Sequence, residues 1–360
     1  MSDIGAVALE ELVRNARERS ASDVHFGGGD RSAMRVDGRL LLLPDTPPPA
    51  AAVARFVESK LTPAALARLS ERGTADAAYH DVASGACRIH VYRHVAGLRV
   101  VVRLLANALP DLENLGLPPF VATLANQRNG LVLFTGPTGS GKTTALAALI
   151  DRINRTSESH ILTIEDPVEY LHTPIRSLIT HCEVGRDVSD YAEALRAAVR
   201  SDPDVILVGE MRDRETIGAA MTAAETGHLV FATLHTNDAP QTVDRIVDAF
   251  PSETQAQMRS QLSNVLVAVV SLRLVRRRSG TGRRAVAEIL VGTDAVRNMI
   301  RDGKTHQLRN AIVTGRGAGM QTLETHLSEL VVRAEIGLET ARAMTSRPAE
   351  VQAFEQRAAV

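Results

Sequence analysis

The sequence predicts an α/β protein: a mixed α+β region, then a largely parallel, helix-flanked sheet, then a helical C-terminal part. Three observations carry this reading. Apolar runs at 131–134, 160–164, 205–208 and 229–234 alternate with helical stretches, the grammar of parallel strands buried on both faces. Upstream of residue 119, short β-branched runs are separated by turn residues, as in hairpins. At 360 residues the chain exceeds one typical core, so two or three domains are expected.

Taken in order, residues 5–19 place Val7, Leu9, Leu12 and Val13 apolar among charged neighbours, which predicts an amphipathic helix. A strand at 24–26 and a hairpin over 34–43, turning at Asp37-Gly38, come next. The run Asp45-Thr-Pro-Pro-Pro49 breaks the pattern, because consecutive prolines remove backbone donors, and a helix is expected after it. Residues 88–105 read as β structure with a turn near Ala96-Gly97. In a strand over 99–105, Arg99, Val101 and Arg103 share one face while Val100, Val102 and Leu104 pack on the other. The proline and glycine sites of 107–119 mark a linker, and from about 293 helical patterning dominates. The expected division is 1–106, a linker at 107–118, a core at 119–292 and a helical region at 293–360.

Composition excludes several classes. Aromatic residues are 3% with no Trp and the formal charge is −1, so neither stacked aromatics nor a net basic field favours nucleic acid. Arg276-Arg-Arg278, within the basic stretch 273–284, reads as well as a solvated turn between strands. Cys87 and Cys182 are too few for a four-cysteine zinc module and suggest a reducing compartment. The N-terminus lacks a basic stretch followed by an apolar core, and the run 265–272 stops at Arg273, short of the ~20 residues of a membrane-spanning helix. A cytoplasmic protein without a leader is expected.

The chemistry concentrates in one loop. Gly136-Pro137-Thr138-Gly139-Ser140-Gly141-Lys142-Thr143 matches G-x-x-x-x-G-K-[ST], follows the apolar strand 131–134 and leads into a helix from Thr144. Glycines there let backbone N–H groups curl round a phosphate and the helix N-terminus adds its positive end. Lys142 reaches the β and γ phosphates and the Thr143 hydroxyl can ligate Mg²⁺. A chance glycine-rich turn would not come with both strand and helix.

Carboxylates stand after two further strands. Glu165 ends the run Ile161-Leu-Thr-Ile-Glu165, and Glu210 follows Val205-Ile-Leu-Val-Gly209. Strand ends in a parallel sheet converge on the ligand crevice, so both can face a bound triphosphate, one organising metal and water, the other polarising the attacking water. The usual aspartate at such a strand end is here Glu210. Asp166 and Glu169 read equally well as loop carboxylates or caps.

These residues resemble the secretion and pilus-motor ATPases, the superfamily that includes GspE, PilB and PilT. Thr163-Ile-Glu-Asp-Pro-Val-Glu169 is similar to its Asp box, the segment 202–213 to its glutamate-type Walker B, and Thr226-Gly-His228 through His235-Thr-Asn237 to its His box. Ala21-Ser-Asp-Val-His-Phe26 and Arg35-Val-Asp-Gly38 resemble its PAS-like N-terminal domain, which makes the 119–292 core RecA-like. The resemblance implies that Glu165 is the general base, that Glu210 supports the Mg²⁺ site and that His228 and His235 sense nucleotide or connect domains. A histidine at the start of an apolar strand is also an ordinary structural residue, and that reading of His228 stays open. Arg88, Arg99 and Arg103 resemble the arginines that reach ATP from the N-terminal domain, with surface ion pairing the alternative.

Within the superfamily the retraction branch is favoured. The sequence starts almost directly at the PAS-like part, the tetracysteine insert is absent, and Ala295-Val-Arg-Asn-Met-Ile-Arg-Asp302 resembles that branch's Ala-Ile-Arg-Asn-Leu-Ile-Arg-Glu motif, with Gly319-Met-Gln-Thr-Leu323 following. On a helix Val296, Met299 and Ile300 form an apolar face, leaving Arg297, Arg301 and Asp302 for a partner or a neighbouring subunit, although an ordinary surface helix has the same pattern. The resemblance implies ATP and Mg²⁺ as ligands, bound by residues 136–143 and Thr144, and a homo-hexamer. It further implies an inner-membrane pilus platform protein as partner, peripheral membrane association and no nucleic acid. Pilus assembly or type II secretion, and a RecA-like translocase, are the alternatives.

Overall fold

The computed structural model describes residues 4–36, 39–44, 46–81, 85–105, 109, 111–280 and 282–351. The expected turn at Asp37-Gly38, Asp45 of the proline break, and 106–108 and 110 at the expected linker lie outside the described residues. Two compact units form: Met1–Leu109 with Asp166–Leu171 and Glu183–Ser189, and Pro110–Glu165 with His172–Cys182 and Asp190–Val360.

The first unit is built on a six-stranded antiparallel sheet. Its strands are β1 (Asp23–Gly27), β2 (Asp30–Val36), β3 (Arg39–Leu42), β4 (Thr74–Asp81), β5 (Gly85–His94) and β6 (Gly97–Leu104), in the order β3-β2-β1-β6-β5-β4. Period-2 alternation buries one face: Ile89 and Val91 of β5 join Val100 and Val102 of β6, as the pattern of 99–105 predicts. The helix Ala50–Lys60 begins directly after Pro49 and covers this face with Phe56, whose ring meets Phe26 edge-on at 5.2 Å. A second helix, Pro63–Arg72, starts with proline at its first position, is capped by Thr62 and stops at Gly73 in the left-handed conformation.

The second unit is a seven-stranded sheet. Its strands are β7 (Gly130–Thr135), β8 (His160–Glu165), β9 (Leu178–Glu183), β10 (Val205–Val208), β11 (Leu229–Leu234), β12 (Leu266–Arg276) and β13 (Arg283–Val291), in the order β13-β12-β7-β11-β10-β8-β9. β12, β7, β11, β10 and β8 run parallel, while β13 returns antiparallel beside β12. The four apolar runs of the sequence are β7, β8, β10 and β11, and all residues of β7, β10 and β11 are buried, since helices cover both faces. The C-terminal helices Leu323–Val332 and Leu338–Ala343 close a smaller core over Val275 and Val286.

Helix Asp294–Arg301 buries Val296 and Ile300 as expected, and Arg297 is engaged within the fold. Its guanidinium donates to the carbonyls of Gly292 at 2.8 Å, Asn264 at 2.7 Å and Leu266 at 3.4 Å, so it ties the helix to the start of β12. Among the described residues no helix is long and apolar enough to cross a membrane.

Candidate functional site

β7 ends at Thr135, and the chain turns through the glycine-rich loop into the helix Lys142–Thr156, two residues earlier than the sequence pattern places its start. Gly136, Gly139 and Gly141 have φ of 135°, 77° and 96°. At Gly136 the requirement is also steric, because a Cβ would lie 2.3 Å from the Leu272 carbonyl oxygen. No side chain caps the helix after Gly141, so its first N–H groups keep a positive end suited to an anion. Lys142 is buried, its Nζ donating to the carbonyls of Gly136 at 2.7 Å and Pro137 at 3.1 Å. Burial lowers its ammonium pKa from the ordinary lysine value, and the Glu210 carboxylate partly offsets this. The Ser140 hydroxyl is buried with no hydrogen-bond partner, a donor that suits a phosphate oxygen. Thr143 and Thr144 follow on the first turn, half-buried. Pro137, Thr138 and Gly139 form the exposed rim.

The acidic residues come to the same sheet edge. β8, β10, β11 and β7 are neighbours in parallel register, so Glu165, Glu210, His235 and the loop all lie at carboxyl ends. Three backbone-anchored contacts fix the Glu210 turn: Gly209 N donates to Ile164 O at 2.7 Å, Met211 N to Thr233 O at 3.0 Å, and Thr233 Oγ1 to Gly209 O at 2.5 Å. Gly209 is required for close approach, since a Cβ there would stand 3.0 Å from Tyr191 Oη and 3.2 Å from Glu165 Cα. Glu165 itself is buried. The Glu210 carboxylate meets Arg212 at 2.8 Å and His235 Nε2 at 3.1 Å. Burial alone would raise its pKa, but Arg212 and His235 together hold it below the usual carboxylate range.

His228 precedes β11, at the opposite end of that strand from His235, and ~3.3 Å per residue puts the whole strand length between them. Its Nδ1 donates to Ala223 O at 2.9 Å. Arg88, Arg99 and Arg103 belong to the first unit, beside Asp76 at 3.9 Å, Asp30 at 2.7 Å and Asp23 at 2.9 Å. Arg88 also lines a cleft of about 370 Å³ with Arg68, Arg72, Asp166 and Glu183 of the same unit. Arg212 was not singled out by its sequence position; a basic residue two places beyond the strand-end glutamate was the available signal.

A glycine-rich loop between β7 and a helix, flanked by carboxylates on neighbouring strand ends, defines a P-loop nucleotide-binding protein. The chain belongs to the type II/IV secretion system protein family, whose profile matches residues 5–350. It is 42% identical over 340 residues to the type IV pilus retractation ATPase PilT of Pseudomonas aeruginosa, across 94% of this chain and 98% of that one. It is 49% identical over 255 residues to a twitching motility protein of Neisseria gonorrhoeae, across 71% and 68%. The crystal structure of the pilus retraction motor PilT with bound ADP is similar at a TM-score of 0.88, with 40% identity over 96% of this chain and 98% of that one.

Proposed function

We propose that this chain is an ATP-hydrolysing motor that powers type IV pilus retraction. The supporting observation is its similarity to the retraction ATPase along nearly the full length of both chains, together with a complete strand-end constellation of Lys142, Glu165, Glu210 and His235. In this reading Lys142 and the loop N–H groups hold the β and γ phosphates, joined by the orphaned Ser140 hydroxyl. Glu165 accepts the proton of the attacking water. Thr143 and Glu210 offer hard oxygen ligands that suit Mg²⁺, and the depressed pKa of Glu210 keeps that carboxylate ionised at neutral pH. A Mg²⁺ held by Thr143 and Glu210 would supply positive charge to offset that of the phosphates. Arg88, Arg99 and Arg103 stabilise the transferring phosphoryl group from a neighbouring subunit of a homo-hexamer.

The ring works on an inner-membrane platform protein at the cytoplasmic face, and hydrolysis moves the N-terminal domain against the ATPase core to withdraw pilin. Within the basic stretch, Arg284 pairs with Glu335 at 2.7 Å and Arg273 donates to the Met344 carbonyl, so two of its charges are already engaged. Deleting the gene and counting surface fibres tests the assignment. Retained, non-retracting pili are expected, whereas bald cells would indicate assembly instead. Lys142→Ala should reproduce the deletion while the protein stays folded.

A further inference from the structure

Glu288 lies outside the loop and strand-end set, yet it is a buried carboxylate in the middle of β13. It is the register partner of Ser271 on β12, which is in turn the register partner of Thr135, the residue before the phosphate loop. Side chains in register point to one face, so the three form a polar row across β7, β12 and β13. Thr135 Oγ1 donates to Ser271 Oγ at 2.8 Å. At the far end of the row, Glu288 Oε1 accepts the N–H of Ala239 at 2.9 Å.

Ala239 opens the helix Ala239–Asp248, which follows His235 within a few residues. The first N–H groups of a helix have no partner inside it. Here Gln241 N finds the Asp238 carboxylate at 2.8 Å, Pro240 has no N–H to satisfy, and Ala239 N is left for Glu288. The same turn is tightened by Thr236 Oγ1 with Thr242 Oγ1 at 2.7 Å and by Asn237 N on Gln241 Oε1 at 2.9 Å. Glu288 is therefore the strut that fixes where the segment carrying His235 leaves β11.

We propose that Glu288 is a positioning residue for the hydrolytic step, holding the 235–239 turn so that His235 meets Glu210. The proposal rests on the ATPase reading above. Charged groups face Glu288 from each packed element: Asp238 ahead of helix Ala239–Asp248, Glu324 on helix Leu323–Val332 and Arg309 on helix Leu308–Thr314. Arg309 is shared with Glu324 at 3.5 Å and Glu350 at 2.6 Å. Burial pushes the Glu288 carboxyl up to about 7, the Ala239 N–H opposes, Asp238 and Glu324 push further, and Arg309 pulls back. The ionised form, which predominates above that pH, accepts the Ala239 N–H more strongly than the neutral acid does.

Steady-state ATP turnover of the full-length protein against pH tests this. Wild type should lose turnover as pH falls through about 7. Glu288→Gln keeps the volume and an acceptor oxygen but not the charge. It should show kcat about tenfold lower above that pH with KM for ATP unchanged, and no limb near 7. In a His235→Ala background the same change should cost less than about twofold more, because both act through one contact. Arg309→Met, which removes the cation that faces Glu288 among the described residues, should move the wild-type limb to higher pH and keeps the test open if Glu288→Gln does not fold. Wild-type turnover with an unaltered limb in Glu288→Gln, full additivity with His235→Ala, or an unmoved limb in Arg309→Met would each overturn the proposal. Absence of turnover in the wild type itself would instead strike the ATPase reading.

Discussion

His228 and His235 stand just outside the two ends of one strand, and they are used in opposite ways. At the carboxyl end of β11, His235 points its Nε2 at the Glu210 carboxylate, 3.1 Å away and itself held by Arg212. At the amino end, His228 gives its Nδ1 proton to the Ala223 carbonyl at 2.9 Å, next to Thr226 at 3.2 Å, and its own carbonyl accepts the N–H of Gly130, where β7 begins. A carbonyl can only accept, so the tautomer of His228 is fixed by the backbone. Parallel sheets gather loop chemistry at one edge and spend polar groups at the other on closing helices onto strands. In the proposed reading, the His235 end is the one that meets nucleotide, and His228 is spent on the fold.

The largest effects should therefore come from the carboxyl edge. Glu210→Ala removes the strand-end carboxylate and leaves Arg212 and His235 facing each other without their shared anion; turnover should fall by at least about a hundredfold, with the circular dichroism spectrum unchanged. Wild-type-like hydrolysis in that variant would break the comparison at its stronger end. His235→Ala removes only a partner of that carboxylate, and ~10–100-fold is the expected loss in phosphate release. His228→Ala should leave turnover of the purified protein within about twofold and lower the unfolding free energy by ~1 kcal/mol for the lost Ala223 contact. Equal kinetic losses from the two histidines would mean that His228 acts on nucleotide through a route other than its own strand, such as a neighbouring subunit.

The site was legible where local pattern and chemistry coincide. β7, β8, β10 and β11 announce themselves as short apolar runs, and a glycine-rich loop after such a strand has few other readings. What stayed hidden depends on partners distant in sequence. Arg297 looks like an exposed residue of an amphipathic helix, and only the fold brings the carbonyls of Asn264 and Leu266 beneath it. Glu288 interrupts the apolar β13, and nothing nearby in sequence tells that the N–H of Ala239, 49 positions away, meets it. The assignment of Asp166–Leu171 and Glu183–Ser189 to the first unit is likewise a matter of tertiary contact, since both lie amid second-unit sequence. The sequence shows Glu210 in place of the usual strand-end aspartate, but not why Gly209 precedes it; that reason, the crowding of Tyr191 and Glu165, is steric and belongs to the packed state.

A third histidine extends the comparison of the two strand ends. His326, on helix Leu323–Val332, is buried and accepts the N–H of Ala287 through Nδ1 at 3.0 Å, the reverse of the His228 arrangement. Burial lowers its pKa from 6.5 to about 4, and the cations Arg333 and Arg284 add to the depression. Its unfolded form binds a proton near 6.5 while the folded form resists until about 4, so the unfolded state carries more protons between these values. The stability it supports is thus complete above about pH 6.5 and is lost progressively as pH falls toward 4. At about pH 5.5 the loss from this residue should be ~1 kcal/mol relative to neutral pH. His326→Asn, whose amide oxygen can take the Ala287 N–H without titrating, should flatten that part of the profile in urea unfolding, even if repacking lowers stability at all pH values. An acid slope between pH 6.5 and 4 that is the same in both proteins would show that other buried groups, His172 foremost, carry it instead.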